Sequence, residues 1–164
     1  MINLLINRRI FSLILGFILL AFSVSSFAYT SAKKLYVDCT SASKVFDMSE
    51  KQIRQQPVEV IVQARECVEY LQGMHGGVSF NNLAIVMQNQ NVSAKTLAQQ
   101  TSGVCLPSTT NREMVNVVLK FMENNKDKLD MPRELIVGHA FRAAYPPEKY
   151  CTAAYYQHLR DSNK

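Results

Sequence analysis

CLPSTTNREMVNVVLKFMENNKDKLDMPRELIVGHAFRAAY, residues 105–145, decides the fold of this chain. Thr110 and Glu113 frame a T-x-x-E capping box, in which hydroxyl and carboxylate satisfy amides that a helix start leaves open. Pro107, just upstream, keeps the residue before it extended. Met114, Val117, Val118, Phe121 and Met122 then recur at i, i+3, i+4, i+7 and i+8. That spacing makes an amphipathic helix whose apolar face needs a partner. Residues 124–128, NNKDK, are too polar to continue the face. Asp130 and Pro132 reopen a helix with start signals in the right order. Leu135, Ile136, Ala140, Phe141 and Ala144 supply its apolar side, and Pro146 with Pro147 stops it.

The pattern extends upstream. Ser31 is placed to cap a helix carrying Leu35, Cys39, Ala42 and Phe46 on one face. Residues 47–56 form a polar connection with room for one helical turn. Pro57 suits the first turn of the next helix. There Val60, Ala64, Cys67, Val68 and Leu71 recur at helical spacing, which turns Cys67 inward. Gly73 then suggests a close approach of two helices. Gly76 and Gly77 suggest a kink or an end, at about 1 kcal/mol each relative to Ala. The glycine cluster matches neither the dinucleotide fingerprint nor the phosphate-loop string. Leu83, Ile85 and Val86 sit in a stretch too short to separate a continuing helix from a strand. Ser93 is placed to cap a short helix through Gln99, closed by Gly103. Past Cys151, the residues Ala153, Ala154, Tyr155, Tyr156 and Leu159 give a last short helix and a basic tail. The expectation is an all-α, compact, disulfide-braced bundle of about five helices.

Residues 1–28 stand apart. Arg8 and Arg9 precede an apolar run, and Ser26, Phe27 and Ala28 form a small-x-small cleavage site. The run falls short of the ~20 residues a bilayer span needs, so it is expected to be a signal peptide cut before Tyr29. Residues 29–164 then form one helical domain in the periplasm, free of the membrane after cleavage. The leader holds two of the 18 basic residues, which leaves 16 against 13 acidic ones, a net charge of +3. That charge is too mild, and too free of basic stripes with interleaved aromatics, for a nucleic-acid binder. It suits an acidic partner surface.

The four cysteines, Cys39, Cys67, Cys105 and Cys151, all follow the leader. An even count in an exported chain means disulfides, here two, with three connectivities open. No Cys-x-x-Cys and no His–Cys pair falls at zinc spacing, so no metal or cofactor is expected. His75, His139 and His158 offer a base for a cysteine nucleophile only if a thiol stays free. Glu66 and Glu69 stand three apart on a helix, as a carboxylate dyad would, yet beside Arg65 they fit a solvated charged face. No catalytic constellation is discernible, and no enzyme is expected. Met74, Met87, Met114 and Met122 would line an apolar ligand pocket in a binding-module alternative, though Met also fills irregular cores.

One resemblance joins these pieces. Cys105-Leu106-Pro107, the helix from Val115 to Phe121, Leu129, Pro132, Leu135, Ala140 and Tyr145-Pro146 resemble the core of the Rap/Tai immunity family. Cys67, followed by Tyr70 and Gly73, adds a second match upstream. Pro147, Glu148, Lys149 and Tyr150 intervene before Cys151, where the family's last Cys directly follows its Pro. The resemblance implies a small periplasmic protein that shields its producer from a type VI secreted peptidoglycan amidase. It implies a cognate amidase as partner, with a homodimer as a further assembly. The alternative is an envelope or secretion accessory of the same fold with no toxin partner. The motif order implies pairing of Cys39 with Cys67 and of Cys105 with Cys151. Asn124, Asn125, Lys126, Asp127 and Lys128 join two capped helices. They are the candidate partner-binding loop, with residues 88–93 as the competitor.

Overall fold

A computed structural model describes residues 30–89, 92–93, 96–97 and 104–161 of the chain. The expected signal peptide, the basic tail after Asp161, Gly103 and most of the short helix expected through Gln99 lie outside them. The chain forms α1 (Ala32–Phe46), α2 (Glu50–Arg54), α3 (Val58–Gln88), α4 (Asn111–Glu123), α5 (Arg133–Ala144), α6 (Pro147–Tyr150) and α7 (Ala153–Asp161). Five of these are full helices, and α2 and α6 are single turns. Among the described residues the only β pairing is an isolated bridge between Ser31 and Pro132. The fold is all-α, as the periodicity requires.

Two of the starts carry the same chemical device. Thr110 accepts from the Glu113 amide while Glu113 Oε2 accepts from the Thr110 amide at 2.7 Å, which opens α4. Ser49 and Gln52 repeat that reciprocal pair at α2. Ser31 occupies the N-cap position of α1, but its side chain caps nothing. The open amides of Ala32 and Lys33 instead donate to the carbonyls of Met131 and Leu129, each at 3.0 Å. The start of α1 is thus satisfied by the turn before α5, and Lys33 Nζ pairs with Asp130 at 2.6 Å beside it.

The helix α3 runs unbroken through Gly73, Gly76 and Gly77 to Gln88, so the strand alternative for residues 82–87 falls. At 31 residues it is about 46 Å long. A Cβ added at any of the three glycines would meet nothing, so no close helix approach explains them. Ala64, Cys67, Leu71, Asn82 and Val86 form its buried stripe. The first part of this stripe packs on α1, where Cys39 and Cys67 are bonded with Cα atoms 5.1 Å apart. The α4–α5 hairpin closes the main core with Met114, Val115, Val118, Leu119, Met122, Ile136, Val137, Ala140 and Phe141.

That list revises the expected faces. Val115 and Leu119 are buried in α4, whereas Val117 and Phe121 are half-buried against the core edge. In α5, Val137 is buried and Leu135 is half exposed, at 50%. A second, smaller core gathers Val86, Leu97, Cys105, Cys151 and Tyr156 at the far end of α3. The Cys105–Cys151 bond lies inside it, again with Cα atoms 5.1 Å apart. The inserted residues before Cys151 form α6, a turn opened by Pro147, and Cys151 follows it directly into the bond.

Candidate partner-binding surface

The side chains of catalytic type do not converge. All four cysteines are bonded, so none offers a thiol nucleophile. Glu66 turns to Lys34 at 2.6 Å, and Glu69 to Arg65 at 3.2 Å. The Lys34 ammonium holds the Glu66 carboxyl below its ordinary range, and the Asp38 and Glu66 carboxylates hold Lys34 up in return. His75 lies 3.3 Å from the Pro107 carbonyl. His139 stacks on Phe121 with ring centroids 6.5 Å apart. Tyr70 is pushed up to about 12, first by burial and then by the nearby Glu134 carboxylate, and Arg133 lies over its ring at 4.1 Å. Among the described residues no group of His, Cys, Asp and Glu is placed to hold a metal ion. The four methionines also separate: Met114 and Met122 are core, Met74 packs against it, and Met87 is 46% exposed.

What the chain does build is a positioned surface at the open end of the α4–α5 hairpin. Residues 124–128 leave α4 and turn through a 3₁₀ segment, Lys126–Lys128. The turn is held from within. Asn125 Nδ2 donates to the Phe121 carbonyl at 2.8 Å, and Lys128 Nζ donates to Asn125 Oδ1 at 2.9 Å. Beyond it the amide of Met131 donates to the Lys128 carbonyl at 2.9 Å, which sets the two carbonyls that accept from α1. The loop therefore has its ordering cost met by the fold and not by a ligand.

Two adjoining depressions run along this hairpin. One, of about 440 Å³, is bounded by Phe121, Asn125, Lys128, Met131, His139, Arg142 and Ala143. The other, of about 330 Å³, is bounded by Val117, Lys120, Phe121, Asn124, Ala140, Ala143 and Ala144. Phe121 and Ala143 belong to both, so the two depressions share part of their floor. The structure thus divides the expected loop. Asn124, Asn125 and Lys128 edge the depressions, while Lys126 and Asp127 are exposed away from them. The half-buried Val117 and Phe121, expected in the core, are floor residues here. Their i, i+4 spacing put them on the apolar arc, but only the packing of the neighbouring helices shows where the core stops.

The competing connection at residues 88–93 falls partly outside the described residues. Its Val92 edges a separate depression of about 340 Å³ against α7, with Leu97, Tyr156 and Arg160. A helical scaffold with two internal bonds and a rigid turn suits binding far better than chemistry.

No curated protein and no solved structure matches the chain. The family of Rap1a immunity proteins matches residues 31–147. That span runs from the residue before α1 to the first residue of α6, and so takes in α1, α3 and the α4–α5 hairpin. Immunity proteins act by binding a cognate effector and are not enzymes. The ordered motifs, the helical scaffold and this match agree, and the chain belongs to the Rap1a immunity protein family.

Proposed function

We propose that the chain is exported to the periplasm, where it binds a peptidoglycan amidase effector, occludes its cleft and so protects the cell that makes it. The observation that carries this reading is the family match over residues 31–147. The Arg8–Arg9 leader and its Ser26-Phe27-Ala28 cleavage site support export. The motif resemblance supports an amidase as the effector. Such inhibition needs no chemistry, only a loop or helix end that enters a cleft on a frame ordered before binding. Residues 124–128 are the loop in this reading, with Asn125 and Lys128 held in place and Lys126 and Asp127 free to project. A homodimer belongs to the same reading.

The test is capture from periplasmic extract with the tagged mature chain, followed by a peptidoglycan digestion assay on the captured amidase. The expected result is a recovered amidase whose digestion stops at one equivalent of this chain. N-terminal sequencing of the exported chain should begin at Tyr29. Capture that repeatedly yields no amidase, or an amidase that digests at an unchanged rate when saturated, sinks the proposal.

A further inference from the structure

The floor shared by the two α4–α5 depressions is carbon, and its rim carries three cations: Lys120, Lys128 and Arg142. No carboxylate lines either depression. Among the described residues none of the three cations makes an ion pair. Elsewhere on the described surface Lys33, Lys34, Arg54, Arg65, Arg112 and Arg133 each have a carboxylate within reach, while Lys44, Lys51, Lys126 and Lys149 do not. What marks the cleft is three such unpaired cations gathered around one apolar floor. Phe121, Met131 and Arg142 are of the types enriched where protein surfaces meet.

From this juxtaposition, an apolar floor inside a rim of uncompensated positive charge, we propose that the α4–α5 cleft is the docking site for an acidic, apolar-tipped segment of a partner protein. The inference rests on the immunity reading only in naming the effector as the bearer of that segment. Apolar side chains of the segment cover Phe121 and Met131, and its carboxylates meet Lys120, Lys128 and Arg142. Excluding water from the floor strengthens those ion pairs. A second copy of this chain is a poor occupant, since a two-fold contact would set these like-charged rims face to face. A membrane surface is a poor one too, because Phe121 is half-buried in a concave floor and does not protrude.

The test uses the mature chain and its Lys120→Glu/Arg142→Glu double variant. The probes are a fluorescein-labelled helical peptide of Glu, Leu and Phe and the same peptide with Lys for Glu. The Glu peptide should bind, more weakly at high salt. It should lose on the order of tenfold or more in affinity with the double variant, at an unchanged melting temperature. The Lys peptide should not bind. Equal binding of both peptides, or an unaffected double variant, overturns the proposal. So does variant-sensitive binding to phosphatidylglycerol vesicles, which assigns the face to a membrane, or a dimer that the variant abolishes, which assigns it to a second copy. A captured amidase separates this inference from the reading beneath it. If the amidase binds wild type and double variant equally, the cleft is wrong and immunity stands. If the Glu peptide binds as expected and no amidase does, the cleft stands and the immunity reading fails.

Discussion

Asn82 is an amide with no exposed surface, set among carbon on α3. Its Nδ2 donates to the Val104 carbonyl at 2.8 Å and to the Tyr155 hydroxyl at 3.2 Å, so one side chain ties α3 to two distant segments. Asn82→Leu should cost about 1–3 kcal/mol in urea unfolding, because the Val104 carbonyl loses its partner inside the fold. Burial pushes the Tyr155 hydroxyl up, and the Asn82 bond pulls it down. The same variant should therefore move the tyrosine titration further upward. An unchanged urea midpoint would show that water takes over both bonds. Glu113 gives a second residue-scale outcome. The Thr110 amide first, then the Thr110 and Thr109 hydroxyls, hold its carboxyl below the ordinary 4.5. A depressed folded value means a contribution present above 4.5 and lost as pH falls through the folded value. Glu113→Ala should melt below wild type at neutral pH, and the gap should close in acid. Local signals of this kind are legible: T-x-x-E names its own partner. The Ser49–Gln52 box carried the same signal. Ser31 misled because the acceptors for the start of α1 come from Leu129 and Met131, which no local pattern relates to it.

At the scale of elements, α3 teaches most. Gly76 and Gly77 argued for a kink or an end and Gly73 for a close helix approach, yet the helix passes through all three. Propensity costs about 1 kcal/mol per glycine, which the burial of Ala64, Leu71 and Val86 on one stripe outweighs. Since a Cβ at Gly76 meets nothing, Gly76→Ala should raise stability by about 0.5–1 kcal/mol, visible as a higher melting temperature. A lower one would mean that the residue serves a contact beyond the isolated chain. The α4–α5 hairpin shows the other limit. Periodicity established two amphipathic helices and the polar turn between them. It misjudged the phase: Val115, Leu119 and Val137 are buried, and Val117, Phe121 and Leu135 are less so. Phase follows from the direction of the helices α1 and α3 behind the hairpin, which repeat spacing alone does not contain. The cleft is not legible in the sequence for the same reason, since it consists of the apolar arc left over.

Taken whole, the molecule has two cores strung on one helix, each with its own disulfide. Parity of the cysteines was enough for two bonds, and the family motif order was needed for their pairing. The second core joins Val86, Leu97 and Tyr156 from separate segments, so no window of sequence could show it. Replacing Cys39 and Cys67 by Ser releases a bond spanning 28 residues and should cost on the order of 3–4 kcal/mol of global stability. Replacing Cys105 and Cys151 should act more locally. Hydrogen exchange should quicken in α7 and the last turns of α3 while α1 stays protected. Uniform quickening would show one cooperative unit. The carbonyls of Leu129 and Met131 that hold the start of α1 have a bearing on time as well as on shape. A partner that bent the turn at residues 124–128 would strip α1 of its acceptors, so under the proposed function the turn has to meet its partner as it stands. Association should then be a single fast phase set by encounter, with no slow rearrangement after it. Differences among related effectors should show in how long the complex lasts and not in how quickly it forms.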